Sequence, residues 1–409
     1  MKTALILAAG LAATATAAEY EYIATNGMNL ARSATHDGRS VAITTWASLS
    51  AQDTNLLADV YVADRNAQTF TLASAGTNGF TSYGSVGSAL ISSNGTSVLY
   101  DLGNVYLRRL PENSRETVNA TGTPTFFTMS RDGRYAFYTL TGTQALNRRD
   151  NDAGTNRVIT SIGGSVGISG DGERAAFAQT SSRTVVLDFA NATTNTIGPN
   201  PILSADGQIV ISLPAGFNPV IQDLATGSSN RYPYQITSVS LSADGGTIAG
   251  EARGLLGAAP FAQVVLIDKS TGATNLISAT AGTTQPANGW SGAPVVSRDG
   301  RFVAFESWAT DLTANDTNNT KDVFLYDVRA KTLARINTGS GPSFNPFFSD
   351  DSRTLFFHNG KTDGDVDIIA MTLETLSIQG ISIEAGGTRR LIWTSLPETR
   401  YQLEFKNSI

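Results

Sequence analysis

The chain has 409 residues, 41% of them hydrophobic, a formal net charge of -6 and no cysteine. The length allows a large core or two domains. Disulfides and lipid-modified cysteines are excluded, and the acidic balance speaks against a nucleic-acid footprint, which needs clustered Lys and Arg. Only 16% of residues are charged and Gly alone contributes 39, a composition suited to many short strands and turns.

The first eighteen residues, "MKTALILAAGLAATATAA", set one early cation, Lys2, before an apolar run and then small residues. This is the layout of a secretory signal peptide over 1–18, with cleavage before Glu19. No later stretch approaches the roughly 20 apolar residues of a membrane-spanning helix. A periplasmic or extracellular location is therefore expected, with no transmembrane segment.

From residue 35 onward one motif recurs: "THDGRSVAI" at 35, "SSNGTSVLY" at 92, "SRDGRYAFY" at 130, "SGDGERAAF" at 169, "SADGQIVI" at 204, "SADGGTIAG" at 242, "SRDGRFVAF" at 297 and "SDDSRTLFF" at 349. The turn residues Gly38, Gly95, Gly133, Gly172, Gly207, Gly245, Gly300 and Ser352 lie 35 to 57 residues apart. An Asp-Gly or Asn-Gly pair suits a two-residue hairpin with both central residues at positive φ. After most hairpins come apolar segments such as "DVYVAD" (59–64), "NVYLRRL" (104–110), "AQVVLID" (262–268) and "DVFLYD" (322–327), then a fourth short segment such as "QTFTLAS" from 68. Four strands per unit without helical periodicity predict an all-β fold, a β-propeller of eight four-stranded antiparallel blades over 19–375. Seven blades result if the unit around "SADGQIVI" or the final one is displaced.

The mature N-terminus, "YEYIATNG", aligns with "FTLASAGTNG" (70–79), the fourth strand of the first full unit. It is expected to complete the last blade, closing the ring and leaving no open sheet edge. The tail 376–409 breaks the repeat, and "RRLIWTS" and "RYQLEF" read as two strands around the turn "LPE". About 34 residues are too few to fold alone. The tail resembles the start of a small β-sandwich appended to secreted bacterial propellers, which implies a truncated module or a segment packed on the ring.

The pattern S-x-D-G-R-x-V-A-F followed by D-x-N-x-x-x-D-V-F-x-x-D (297–327) resembles the repeat of the TolB-type, WD-like bacterial β-propellers, over roughly residues 20 to 375. The resemblance implies a periplasmic or secreted interaction scaffold. The separate N-terminal domain of TolB has no counterpart among these segments. Propellers also serve as enzyme domains, so the repeat alone does not choose a function.

Three groups of residues bear on function. Asp53, Asn55 and Asp59 recur as Asp316, Asn318 and Asp322, with looser counterparts at Asp150, Asp152 and Asn156. Oxygen donors at alternate positions suit structural Ca²⁺, and they equally suit side-chain-to-backbone turns ahead of the third strand. A full EF-hand cage is excluded, because its twelfth position would fall about 17 Å away along a strand. Second, the Asn-Gly-apolar elements ending in Met28, Phe80 and Trp290 stand between an outer strand and the next inner strand. Phe80 and Trp290 are candidate binding residues on a rigid scaffold, or packing plugs between blades.

Third, His36 and His358 are the only histidines, and neither has metal-site spacing. The acid pair Asp363 and Asp365, or the lone Glu251, could act as acid and base or be ordinary surface carboxylates, and no G-x-S-x-G elbow occurs. The leading expectation is an exported, monomeric scaffold that binds a protein or cell-envelope component and needs no cofactor beyond structural Ca²⁺. The alternative is a secreted hydrolase or lyase acting on carbohydrate or a lactone in the central pocket.

Overall fold

The computed structural model of the chain describes residues 14–16, 20–25, 27–55, 57–75, 89–101, 103–119, 122–143, 145–161, 166–180, 183–191, 193–213, 218–254, 261–314, 316–336, 341–373, 378–383 and 389–394. Eight four-stranded antiparallel sheets form the blades of a propeller, and no helix occurs among the described residues. Blades 1 to 7 span 29–72, 90–117, 124–161, 166–197, 201–231, 235–276 and 291–336, each with its strands in chain order from the axis outward. First strands of neighbouring blades touch, as Gln235–Leu241 does Ser291–Val296, which sets them innermost.

The core is a set of eight apolar wedges, one at each blade-to-blade interface. Successive side chains of a strand point to opposite faces. Val303 and Phe305 therefore meet Ala249 and Val264 of blade 6, while Phe302 and Ala304 meet Leu355 and Phe357 of blade 8. Both faces of every sheet are buried, so the middle strands read as continuous apolar runs instead of alternating ones.

Blade 8 takes three strands from 343–372 and its outer strand from the other end of the chain. Tyr20–Ala24 lies antiparallel to Val366–Thr372, with Tyr20 opposite Met371 and Tyr22 opposite Ile369. A register shift between Tyr22 and Ala24 sets Ile23 off the ladder, where it joins Val41, Ile43, Phe356 and Ile368 in the wedge between blades 8 and 1. The expected clasp is the one found.

The recurrent turns differ from the two-residue hairpin. Thr35 N–H donates to Ser40 O and Gly38 N–H to Thr35 O, so four residues, 36–39, separate the closing pair, and Gly38 is the loop residue at positive φ. The first motif residue explains why Asp37 needs no left-handed backbone. The Thr35 hydroxyl donates to Asp37 Oδ1 (2.8 Å), the same oxygen accepts Arg39 N–H, and Ser40 N–H returns to Thr35 Oγ1. Ser130, Ser169, Ser204, Ser242, Ser297 and Ser349 repeat this bond to the motif Asp.

These turns also bond to one another around the axis. His36 N–H reaches Ser93 O, Ser93 reaches Arg131, Arg131 reaches Gly170 and Gly170 reaches Ala205. The belt continues from Asp206 N–H to Ala243 O, from Ala243 N–H to Arg298 O, from Asp299 N–H to Ser352 Oγ, and from Asp351 N–H back to His36 O. Backbone groups on the inner turns are thereby paired blade to blade.

In the tail, Ile378–Ile383 pairs antiparallel with Arg389–Thr394, and Thr14–Thr16 adds parallel to the latter. Arg389–Thr394, within "RRLIWTS", is thus a strand as expected, with 378–383 as its partner. Its expected mate "RYQLEF" lies outside the described residues.

Two substitutions test this account. Gly133 has φ 82, and a Cβ there would stand 3.1 Å from Ser92 Cβ and 3.2 Å from Ser97 Cβ. Gly133→Ala should cost about 2 kcal/mol in urea unfolding, from left-handed strain and overpacking together. Ile23→Ala should cost about 2–4 kcal/mol by emptying the closing wedge; a change within error would refute the clasp as a stabilising element.

Candidate functional site

Antiparallel strands divide the loops between two faces of the ring. Turns joining first to second and third to fourth strands share one face; second-to-third loops and the blade connections share the other. Loop 46–58 with Asp53 and Asn55, loop 308–321 with Asp316 and Asn318, and Trp290 all lie on the second face, with Asp59 and Asp322 opening the third strands there. Phe80 lies outside the described residues.

Asp150, Asp152 and Asn156 do not form a third copy of that loop. They belong to the third-to-fourth turn of blade 3, on the opposite face: Asp150 Oδ1 accepts the N–H groups of Asp152 and Ala153, and its other oxygen meets Arg134 at 3.2 Å. The same capping is made by Asp64, Asp223, Asp268 and Asp327. Asn156 accepts the Tyr138 hydroxyl, and Asp152 is solvent-exposed.

In the two true copies the donors are engaged by protein groups. Asp53 accepts the Tyr61 hydroxyl at 2.5 Å, while Asp59 accepts Ser74 Oγ at 2.5 Å and Asn55 Nδ2 at 3.0 Å. In blade 7 a guanidinium supplies the positive charge: Arg335 stands 2.8 Å from Asp322 and 3.5 Å from Asp316, both carboxylates almost fully buried. Burial raises the Asp59 and Asp322 carboxyls above the ordinary range, and these hydrogen bonds oppose it only in part. Blade 6 makes the blade 1 contact with a neutral group, Gln263 accepting Ser278 Oγ at 2.6 Å. A position filled by Asp or Gln in the same bond serves to seat the third strand, and among the described residues no group of three metal-binding side chains assembles. The bonds named here engage these donors with protein groups, as the turn reading expects.

Three residues near the axis went unread as a set. Glu251, Glu306 and His358 each stand six residues past their turn residues Gly245, Gly300 and Ser352, at an inner register of three consecutive blades. Each caps a bulge in the first strand of the following blade. Glu251 Oε2 faces Ala293 N–H at 3.4 Å, Glu306 Oε1 accepts Asn345 N–H at 2.6 Å, and His358 Nε2 accepts Ala31 N–H at 3.0 Å. Ala293 and Asn345 both sit at φ 49, a strained backbone for residues with a Cβ. The caps satisfy amides that the bulges take off the ladder.

His358 closes the ring at this depth, since it belongs to blade 8 and caps blade 1. Its ring stacks on Phe344 at 5.6 Å, with Nδ1 3.4 Å from Asn345 O. Glu306 also binds Lys321 at 2.6 Å, whose ammonium lies 5.2 Å from the Phe344 ring centroid. Burial pushes the His358 imidazole down to about 4, so Nε2 is an acceptor at neutral pH.

Trp290 makes the packing contact expected of an inter-blade plug and is also half-buried. Its indole N–H points at Glu251 Oε1 (3.4 Å), and a Cβ on Gly292 would fall 2.4 Å from its ring, so one edge packs on the inner strand while the residue stays half-buried. Its carbonyl accepts Trp308 N–H at 2.9 Å, and the following residue, Ser291, donates to Ala262 O at 2.9 Å. Trp308 is 54% exposed and Phe261, beside Ala262, 45%. The three aromatics thus form a rim on the loops of blades 6 and 7. The pairing of "TTWAS" (44–48) with "ESWAT" (306–310) was the available signal for Trp308.

No family model matches the chain, and no curated protein matches it. Among solved structures, dipeptidyl peptidase 4 of Porphyromonas gingivalis is similar at TM-score 0.56 and 11% identity, over 85% of this chain and 58% of that one. The chain thus spans less than two thirds of that enzyme's length. An oligogalacturonate lyase from Vibrio parahaemolyticus is similar at TM-score 0.50 and 10% identity, over 88% and 99% of the two chains. Another oligogalacturonate lyase, in complex with manganese, is similar at TM-score 0.49 and 13% identity, over 88% and 99%. At these identities the first two likenesses are of fold alone, and they agree with the propeller seen here.

Arg335→Gln should cost about 3 kcal/mol, because it leaves two buried carboxylates without their cation. Calorimetric titration of chelator-treated protein with millimolar Ca²⁺ should release no heat; saturable heat lost in Asp53→Asn would restore the metal reading. His358 makes a pH-dependent contribution. Its folded pKa is depressed, so its stabilisation is complete above the unfolded value near 6.5 and is lost as pH falls toward 4. The stability gap between wild type and His358→Gln, measured by urea midpoints, should narrow across that window.

Proposed function

We propose that the protein is an exported propeller that binds a protein or cell-envelope component on the face carrying the second-to-third loops. The observation that carries this reading is the aromatic rim of Phe261, Trp290 and Trp308 on adjacent, mutually hydrogen-bonded loops. Rigidly seated aromatic rings supply contact area at low entropic cost and are enriched at recognition surfaces. The leader-like start supports export, and the resemblance of the repeat to that of TolB-type propellers supports a scaffold.

The state of the nearby titratable groups favours binding over catalysis. Glu251, Glu306 and His358 are buried and face backbone amides of the next blade, whereas an acid or base catalyst needs a group within reach of substrate. The alternative of a hydrolase or lyase working on carbohydrate or a lactone enters as the competing outcome of the test.

Phe261→Ser/Trp308→Ser, with its unfolding midpoint checked against wild type, separates the two. Immobilised wild-type protein should retain an envelope component whose purified form binds the double variant at least about tenfold more weakly. Equal affinity for both proteins would refute the rim as the binding surface. Turnover of oligosaccharides or lactones that persists in the double variant would replace the scaffold with an enzyme.

A further inference from the structure

The opposite face of the ring has a different chemistry at its centre. There the eight inner turns meet, and the second residue of each motif lies nearest its neighbours through the belt of backbone bonds. Four of these residues, Ser93, Gly170, Ala205 and Ala243, are small, and the others are His36, Arg131, Arg298 and Asp350. Arg131 of blade 3 crosses to Asp350 of blade 8, two blades being skipped, with Nε at 2.9 Å and Nη2 at 2.6 Å from the same carboxylate oxygen. Gly170 leaves room for that path, since a Cβ there would lie 3.0 Å from Arg131 Cδ. The mouth of the ring is thereby spanned by an ion pair.

Arg298 of blade 7 sits on the inner turn that Asp299 N–H joins to Ser352 Oγ of the Asp350 turn (3.1 Å), and it has no salt bridge or side-chain hydrogen bond among the described residues, although it is half-buried. Burial, and next the Arg131 guanidinium, hold its own guanidinium below the ordinary value; Asp350 and Asp206 oppose that effect without pairing with it. Asp206 is directed elsewhere, toward Ser204 Oγ and Gln208 N–H of its own turn. Arg131 thus engages the Asp350 carboxylate, while Arg298, on the adjoining inner turn, has no carboxylate partner among the described residues.

We propose that this mouth is an oxyanion-binding site, in which Arg298, assisted by the positive charge of Arg131, takes a phosphate or carboxylate group. The planar fork of a guanidinium matches either group with two parallel hydrogen bonds. A half-buried cation next to a second cation is the setting in which an added anion removes a like-charge repulsion. The site is on the face opposite the aromatic rim and does not depend on the rim having a partner. The oxyanion comes from a free small molecule or from a lipid headgroup at the envelope, and the recognising chemistry is shared.

The test titrates the full chain with inorganic phosphate by calorimetry at constant low ionic strength, and sediments it with phosphatidylglycerol vesicles. Wild type should bind phosphate, vesicles or both saturably. Arg298→Gln should weaken that binding at least about tenfold, while Arg329→Gln, which removes an equal charge from an exposed turn elsewhere, should leave it unchanged. Asp350→Asn should strengthen it by releasing Arg131 from its carboxylate. Binding of phosphate alone assigns the site to a soluble anion, and binding of vesicles that depends on Arg298 assigns it to a headgroup. No saturable binding below about 10 mM in either arm, or equal binding by Arg298→Gln and wild type, overturns the proposal.

Discussion

Every blade of this protein is apolar on both faces, and that constraint governs the rest of the structure. A sheet that buries only one face can stop at solvent, whereas Val303 with Phe305 and Phe302 with Ala304 demand neighbours on opposite sides of one strand. A row of such sheets ends without an exposed apolar face only by closing on itself. The wedge between blades 8 and 1, built around Ile23, Phe356 and Ile368, therefore resembles the seven others, and the N-terminal strand is drawn into the last sheet to complete it.

Closure also explains how the polar residues are spent. The motif Ser or Thr and its Asp hold the inner turns, and the Asp ending the third strand holds the outer ones in five blades where both turn bonds or their close equivalents are seen. Glu251, Glu306 and His358 then satisfy amides that bulges expose at three successive interfaces, the last of them across the seam. A carboxylate or imidazole used in this way is a structural group, however close it lies to the axis. The groups outside these bonds differ between the faces: aromatic rings at 261 and 308, with Trp290 beside them, on one, and the Arg298 guanidinium on the other.

The repeat made the architecture legible because one residue, the turn Gly, meets the same steric demand in seven units, and Ser352 meets it in the eighth at φ 62. The same repeat misled where similar letters stand in different places. Asp150, Asp152 and Asn156 match the spacing of Asp53, Asn55 and Asp59, yet they cap a turn on the other face, because spacing along the chain does not record which end of a strand a loop follows. The local turn type was also misread: the hydroxyl of the motif Ser or Thr supports a four-residue loop, and Asp-Gly alone does not reveal that bond.

Composition, the spacing of the turns and the likeness of the N-terminal segment to a fourth strand determined the class of fold, its blade count and the manner of its closure, since these follow from local sterics and from apolar pattern. Contacts between residues far apart in the chain were decided by tertiary structure alone. Arg335 beside Asp316 and Asp322 depends on how a loop of blade 7 folds back on its own outer strand, and His358 on the amide of Ala31 and Arg131 across the mouth to Asp350 depend on how neighbouring sheets are set around the axis. Such angles arise from packing eight wedges at once, which no single stretch of residues encodes.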